Sequence, residues 1–241
     1  MAAKSKSAAP AARSLRGAFL TFEGIDGCGK TTQAQILAQR LRDYDFPVVE
    51  TREPGGTAIG RALRGVLLDP ANRAMIPTCE LLLYLADRAQ HLAEVIRPAL
   101  AREDVVICDR FHDATLAYQH YGRGLDLSAL EALIAQEIEP TPPALTFWLD
   151  LDVDRARERI TGRAAEANRV RARARGAARP DPEQDGRLEQ EDARFHLRVR
   201  GGYEALAEKY PGRIVRIDAG GTVDSVRDAI WEVLVRRYHV L

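Results

Sequence analysis

Short apolar runs alternate with amphipathic stretches along most of the chain. Helical periodicity is evident from about residue 30 to Tyr44, and again where Leu63, Leu67 and Leu68 share one face. Such alternation predicts the α/β class, with a doubly wound five-stranded parallel sheet. Strands are predicted at five apolar runs flanked by glycine, proline or charged residues: 18–23, 47–51, 105–108, 145–149 and 213–217.

Two segments depart from this pattern. Residues 161–187 hold seven arginines among alanine, glycine, proline and acids, without apolar periodicity, which predicts a mobile surface loop. Residues 1–16 carry basic side chains and no acid, which predicts a disordered basic tail, with an organellar transit peptide as the alternative. We expect the remainder, 17–241, to be a single domain.

Charge and cysteine usage narrow the class of protein. Lysine and arginine together number 35, as do aspartate and glutamate, so no global field favours nucleic acid or a membrane surface. The three cysteines form no spaced pair of the kind that a zinc site or a disulfide framework needs. No apolar run approaches the roughly 20 residues of a membrane-spanning helix. We therefore expect a cytoplasmic protein without a nucleic-acid or membrane partner.

The strongest motif is Gly-x-x-x-x-Gly-Lys-Thr at 24–31, between a predicted strand and a predicted helix. Its glycines let backbone N–H groups surround a polyphosphate, and the helix start adds its positive dipole end. Lys30, one of only four lysines beside 31 arginines, is expected to reach the outer phosphates. The alternative is a glycine-rich turn with an exposed lysine. The predicted ATP-binding residues are Gly24, Ile25, Asp26, Gly27, Cys28, Gly29, Lys30, Thr31 and Thr32.

Magnesium is expected beside this loop. The hydroxyl of Thr31 is one candidate ligand, and Asp109, which follows the predicted strand 105–108, is the other. A helix cap is the alternative role for Asp109.

A phosphate loop alone does not identify the phosphate acceptor. The sequence has no Asn-Lys-x-Asp motif, which GTPases use to recognise guanine, but it has Thr-Arg-Glu-Pro-Gly-Gly-Thr at 51–57. With this loop and the segments Glu80–Arg88, Asp109-Arg110, Ala117-Tyr118-Gln119 and Gly122–Gly124, the chain resembles the thymidylate kinase family from about Ala18 onward. The resemblance implies the P-loop nucleoside monophosphate kinase fold and ATP-dependent phosphorylation of dTMP to dTDP in dTTP biosynthesis. It also implies Mg²⁺ and a homodimer formed through helices around 78–100 and 111–138.

The resemblance also assigns residues to dTMP. Tyr84 and Arg88, four apart on one helix face, would stack on thymine and bond a base oxygen. The guanidinium groups of Arg52 and Arg110, each able to donate paired hydrogen bonds, would hold the phosphate. Further contacts are implied for the base and the sugar. Thr115 would touch the base, Tyr118 would crowd the position of a ribose 2′-hydroxyl, and Asp26 would accept a hydrogen bond from the 3′-hydroxyl. Gln119 is also implied to bind dTMP.

Catalytic charge is expected from the arginine-rich segment, which the resemblance identifies as a lid of the bacterial type. The variable loop positions, 25–28, hold no basic residue. Two alignments of the catalytic lid arginine are possible. Counting residues forward from Asp150 favours Arg163, whereas the local sequence pattern favours the later cluster that contains Arg173 and Arg175. The predicted catalytic residues are Lys30, Arg110, Arg163, Arg173 and Arg175.

Two other functions remain open at this point. A kinase for dUMP, dCMP or a modified pyrimidine nucleotide would carry the same phosphate machinery. A nucleotide-binding regulator that had lost phosphoryl transfer would also keep the fold. The presence of Lys30, Thr31, Asp109 and Arg110 argues against the regulator.

Overall fold

A computed structural model describes residues 14–126, 141–162, 186–238 and 240. Five strands form one parallel sheet in the order β2-β3-β1-β4-β5, which confirms the predicted fold class. Each strand end lies within one residue of its predicted position. The strands are β1 (Phe19–Glu23), β2 (Val48–Arg52), β3 (Val105–Asp109), β4 (Leu145–Asp150) and β5 (Ile214–Asp218).

Helices connect these strands and cover both faces of the sheet. α1 begins at Lys30, directly after the glycine-rich loop, and the Thr57 hydroxyl caps α2 by accepting a hydrogen bond from the Gly60 N–H at 2.9 Å. Wide π-helical turns at Leu92–Ile96 and Leu116–Gly122 continue the third and fifth helices. Within the described residues, the α-helices are α1 (Lys30–Asp43), α2 (Ala58–Leu68), α3 (Pro77–His91), α4 (Arg97–Ala101), α5 (His112–Thr115), α6 (153–162), α7 (Ala193–Lys209) and α8 (Val223–Tyr238).

The three central strands are buried along their whole length, whereas β2 and β5 at the sheet edges are partly exposed. This explains why the central strands read as continuous apolar runs. β3 lies between β1 and β2, and its Asp109 is in register with Phe22 on one side and with Arg52 on the other. The carboxyl ends of β1, β2 and β3 therefore meet at one edge of the sheet.

Buried polar side chains on one face of the sheet satisfy one another. The Thr21 and Thr146 hydroxyls lie 2.7 Å apart, and the Thr146 hydroxyl also donates to Asp113. Arg213 binds both oxygens of the Asp113 carboxylate, at 2.6 and 2.8 Å. Burying such groups is tolerable only when they are paired, and this network fixes the start of α5 against β4 and β5.

The ends of the two irregular segments differ from the sequence-based expectation. Leu15, within the predicted 1–16 tail, is buried in the core, so the folded domain extends back at least to that residue. The helical segment α6 extends through Gly162, and Arg187 is buried, with its N–H donating to the Leu68 carbonyl at 3.1 Å. Thus 161–162 continue α6 as exposed residues and 186–187 are buried, while 163–185 lie outside the described residues.

α7 packs along the π-helical turn Leu116–Gly122, and two adjacent glycines of α7 have opposite environments. A β-carbon at Gly202 would lie 2.7 Å from the Tyr121 ring, so only glycine permits this approach. A β-carbon at Gly201 would meet no atom within 4 Å. The same substitution at neighbouring positions therefore separates packing from helix propensity.

We predict that Gly202→Ala lowers the free energy of unfolding by about 1–3 kcal/mol, because the methyl group overpacks the contact with Tyr121. Gly201→Ala should raise it by about 0.5–1 kcal/mol, because alanine is the better helix former. Urea titrations of both variants and the wild type test this pair. Equal effects at the two positions would contradict the described packing.

Candidate active site

A cavity of about 310 Å³ opens where the carboxyl ends of β1, β2 and β3 meet. This is the crevice in which open parallel sheets bind ligands. The cavity brings together most of the residues predicted for nucleotide binding. Those that line it are Asp26, Gly27, Gly29, Lys30, Thr31, Thr32, Arg52, Tyr84, Arg88, Asp109, Arg110, Thr115, Tyr118 and Gln119.

The phosphate loop follows β1, and its shape depends on glycine. Gly24 and Gly27 have φ values of +137° and +83°, which side-chain-bearing residues rarely adopt. A β-carbon at Gly24 would lie 2.5 Å from the Leu149 carbonyl oxygen, and one at Gly27 would lie 2.5 Å from that of Ala156. The loop can therefore lie close against β4 and α6 only with glycine at both positions.

The metal-binding candidates form the second feature of the cavity. The Thr31 hydroxyl donates to Oδ2 of Asp109 across the gap between α1 and β3. Oδ1 of Asp109 is buried and has no hydrogen-bond partner within the described residues. A buried carboxylate oxygen without a partner is costly, which suits it to a cation. Lys30 lies close by, with Nζ donating to the Ile25 carbonyl at 2.9 Å.

Asp26 links the phosphate loop to the end of β3. Its carboxylate accepts from the Arg110 guanidinium and, at 3.1 Å, from the Tyr118 hydroxyl. Arg110 also donates to the Gly24 carbonyl at 3.0 Å. Burial raises the pKa of Asp26, but the positive charges of Arg110 and Lys30 outweigh it and hold that pKa well below its usual value. Asp26 is therefore ionised throughout the neutral range, and it fixes the Arg110 side chain.

The backbone at Arg110 is held in an unusual conformation, with a φ of +73°. On one side, the Arg110 N–H donates to the Phe22 carbonyl at 2.9 Å. On the other, Glu23 accepts from the Phe111 N–H at 2.7 Å and from the Tyr203 hydroxyl at 2.8 Å. Glu23 thus locks the turn that directs Arg110 into the cavity.

The end of the cavity away from the phosphate loop is built around Arg88, which is only 2% exposed. Its Nε donates to Glu53 at 2.8 Å, and its Nη2 donates to the Phe111 carbonyl and the Thr115 hydroxyl at 3.1 and 2.9 Å. Nη1 is buried and has no partner among the described residues. One pair of N–H groups therefore remains for a ligand, beside Tyr84.

Most of the predicted arginine-rich lid, 163–185, lies outside the described residues. Arg163, Arg173 and Arg175 lie outside the described residues. Arg187, the last arginine of the predicted lid, is buried and donates to Glu80 and to the Leu67 carbonyl. Its guanidinium is therefore engaged in the fold and does not line the cavity.

Sequence reasoning missed several residues that line the cavity. Glu53 lies inside a recognised motif, and its role in holding Arg88 becomes visible only in three dimensions. Pro54 belongs to the same motif. The other lining residues carry no local signal, because they reach the cavity through packing: Arg64, Leu68, Phe111, Ala114, Ile160, Gly186, Leu188 and Glu189. Conversely, Gly24, Ile25 and Cys28 shape the phosphate loop without lining the cavity.

A phosphate loop that faces arginines at the ends of β2 and β3 defines a P-loop nucleoside monophosphate kinase. The sequence model of the thymidylate kinase family matches residues 22–230. The chain belongs to the thymidylate kinase family.

Individual relatives agree with this assignment. A thymidylate kinase of Gloeobacter violaceus is 50% identical over 212 residues, covering 88% of this chain and 92% of the relative. One from Geotalea daltonii is 47% identical over 225 residues, covering 92% and 98%. The crystal structure of thymidylate kinase from Ehrlichia chaffeensis superposes with a TM-score of 0.68 at 32% identity, covering 90% of this chain and 98% of that one.

Glu23 gives the site a measurable pH dependence. Burial and the nearby charge of Asp113 raise the pKa of Glu23 from 4.5 to about 7. The folded state thus keeps this proton at pH values where the unfolded chain has lost it, so the stability of the wild-type fold falls as pH rises from 4.5 to 7. We predict that the unfolding free energy of Glu23→Gln, relative to wild type, rises as pH increases from 4.5 to 7.

Urea titrations at several pH values across this window test the prediction. Glu232→Gln is the matched control, because Glu232 is an exposed helix carboxylate paired with Arg236, and its difference from wild type should stay nearly constant. A Glu23→Gln difference that is flat or falls with pH would contradict the buried, proton-retaining carboxyl.

Proposed function

We propose that the protein transfers the γ-phosphoryl group of ATP to dTMP and releases dTDP and ADP. The observation that carries the proposal is the single cavity in which the phosphate loop, Arg110 and the partly unpaired Arg88 face one another. Membership of the thymidylate kinase family supports the same substrate.

The acceptor phosphate of dTMP is held by Arg52 and Arg110. Two guanidinium groups at the ends of neighbouring strands present several N–H donors to one anion. The nucleophile is an oxygen of that phosphate, whose second pKa is about 6, so it is already ionised at neutral pH and no general base is needed. The residues therefore act by positioning the acceptor and by neutralising charge.

Mg²⁺ enters with ATP and would be held by Thr31 and Asp109. The hydroxyl of Thr31 and the unpartnered buried oxygen of Asp109 are suitable hard ligands. When bound, the ion neutralises charge on the transferring phosphates. Lys30 and the backbone N–H groups of the loop complete the ATP phosphate site.

The base of dTMP lies at the Arg88 end of the cavity. The Nη1 group of Arg88 donates to a carbonyl oxygen of thymine, while the Tyr84 ring lies against the base. Thr115 and Gln119 line the same region. The Tyr118 ring, whose hydroxyl bonds Asp26, crowds the sugar and disfavours a ribose 2′-hydroxyl.

The assembly and setting of the enzyme are also proposed here. Family membership supports a homodimer formed through helices around 78–100 and 111–138, of which 127–138 lie outside the described residues. In the part of the chain that is described, no helix has the length and apolarity needed to cross a bilayer. We propose that the reaction takes place in the cytoplasm.

An assay of ADP release across nucleoside monophosphates tests this function. We predict that the wild-type protein with ATP and Mg²⁺ releases ADP rapidly with dTMP and more slowly with dUMP or dCMP. A matched mixture without acceptor is the control. Faster turnover of dCMP than of dTMP would contradict the proposed acceptor, and binding of both nucleotides without ADP release would indicate a regulator.

The lid supplies the remaining positive charge, because positions 25–28 of the phosphate loop hold none. We predict that at least one of Arg163→Ala, Arg171→Ala, Arg173→Ala and Arg175→Ala lowers kcat by a factor on the order of 10³ or more, as loss of an arginine finger does. Single-turnover rates with saturating ATP and dTMP measure this.

The control for this series is Arg236→Ala. Arg236 is an exposed arginine of α8, whose partner among the described residues is Glu232 on the same helix. Its loss should leave kcat unchanged, which shows that removal of an arginine does not by itself slow the reaction. Normal turnover in all four lid variants would remove the lid from the mechanism.

A further inference from the structure

Glu80 is a buried carboxylate just behind the base end of the cavity. It lies in the first turn of α3, is 0% exposed and does not line the cavity. Its oxygens accept from Gln119 Nε2 at 2.8 Å, from Arg123 at 3.2 and 3.1 Å, and from Arg187. The carboxylate is thus fully satisfied by donors from three residues.

The charge of Glu80 determines how the Gln119 amide is oriented. Burial raises the pKa of Glu80, but the hydrogen bonds from Arg123, Gln119 and Arg187 outweigh it and lower that pKa below its usual value. An ionised carboxylate can only accept hydrogen bonds, so the Gln119 amide must face it with nitrogen. The amide oxygen is then the group that Gln119 offers to a ligand in the cavity.

This orientation matters because Gln119 itself lines the cavity and is only 1% exposed. Thymine and uracil carry a hydrogen on N3 and therefore need an acceptor opposite it. Cytosine has no such hydrogen, and its N3 needs a donor. A Gln119 amide whose oxygen is fixed toward the base therefore favours binding of thymine and uracil and disfavours binding of cytosine.

We propose that Glu80 is a positioning residue for base selection, which fixes the Gln119 amide with its oxygen toward N3 of the pyrimidine. This rests on the proposed function, since it assumes that the monophosphate places its base beside Gln119. Arg88 acts in the same sense, because its remaining N–H groups suit a carbonyl oxygen of thymine better than the amino group of cytosine.

The two arginines make Glu80 a rigid anchor. Arg123 also binds Glu191 at 2.6 Å, so these four side chains form a charge-balanced cluster of two cations and two anions. A carboxylate held on both oxygens by guanidinium groups keeps one geometry. It can therefore impose a single amide orientation on Gln119, which a freely rotating or exposed carboxylate could not do.

Glu80→Gln tests the proposal, because a glutamine at this position can donate as well as accept. Gln119 can then turn its oxygen inward and present nitrogen to the base. We expect the ratio of kcat/KM for dTMP to that for dCMP to fall about tenfold. An unchanged ratio in a folded, active variant would overturn the proposal.

The control variant is Arg123→Gln, which removes two of the donors to Glu80 but leaves the hydrogen bond to Gln119. A merely structural role for Glu80 predicts that both variants lower turnover of both nucleotides alike. Base positioning predicts a changed ratio for Glu80→Gln only. A ratio that changes equally in the two variants would overturn the proposal.

A double-mutant cycle shows whether Glu80 acts through Gln119. In a Gln119→Met background there is no amide to orient, so adding Glu80→Gln should leave the dTMP to dCMP ratio unchanged. A further tenfold fall in the double variant would show that Glu80 acts by another route and would overturn the proposal.

If Glu80→Gln does not fold, as thermal unfolding would show, Glu80→Asp takes its place. This variant keeps the negative charge for Arg123 and Arg187 but withdraws the carboxylate from Gln119 by one methylene. The ratio should again fall, and a ratio equal to that of wild type would overturn the proposal. Wild-type protein that is inactive on dTMP would instead refute the proposed function itself, so the two failures are distinguishable.

Discussion

The ion pair between Asp26 and Arg110 joins the loop after β1 to the turn after β3. Asp26 belongs to the phosphate loop, and Arg110 belongs to the proposed acceptor site, so their contact sets the distance between the loop and that proposed site. Arg110 also donates to the Gly24 carbonyl and to the Tyr118 hydroxyl. A transfer reaction that depends on positioning needs such a fixed spacing.

Other features of the structure support this contact. The parallel register places Asp109 level with Arg52, which brings Arg52, Arg110 and the metal-binding candidate Asp109 to one edge of the sheet. Glycine at position 24 lets the phosphate loop lie against β4. Glu23 and Tyr203 hold the turn in which Arg110 adopts its positive φ. A buried network of paired polar groups thus positions a cavity whose ligand-binding groups are left partly unpaired.

Much of the fold follows from local sequence, because buried parallel strands are continuous apolar runs and the phosphate loop has fixed spacing. Local sequence does not reveal Glu23 and Glu80, whose partners lie 180 and 107 residues away at Tyr203 and Arg187. It also places Leu15 in a tail, since one leucine beside basic residues gives no periodic signal. Long-range pairing of buried charges becomes evident only in three dimensions.

A crystal structure with dTMP, Mg²⁺ and a non-hydrolysable ATP analogue tests the central claim most directly. We predict that the dTMP phosphate lies on Arg52 and Arg110, with the analogue on the phosphate loop and Mg²⁺ beside Thr31 and Asp109. Thymine should lie between Arg88 and Gln119, with its N3–H toward the amide oxygen. A dTMP phosphate bound away from Arg110, or a base bound outside the Arg88 end of the cavity, would contradict it.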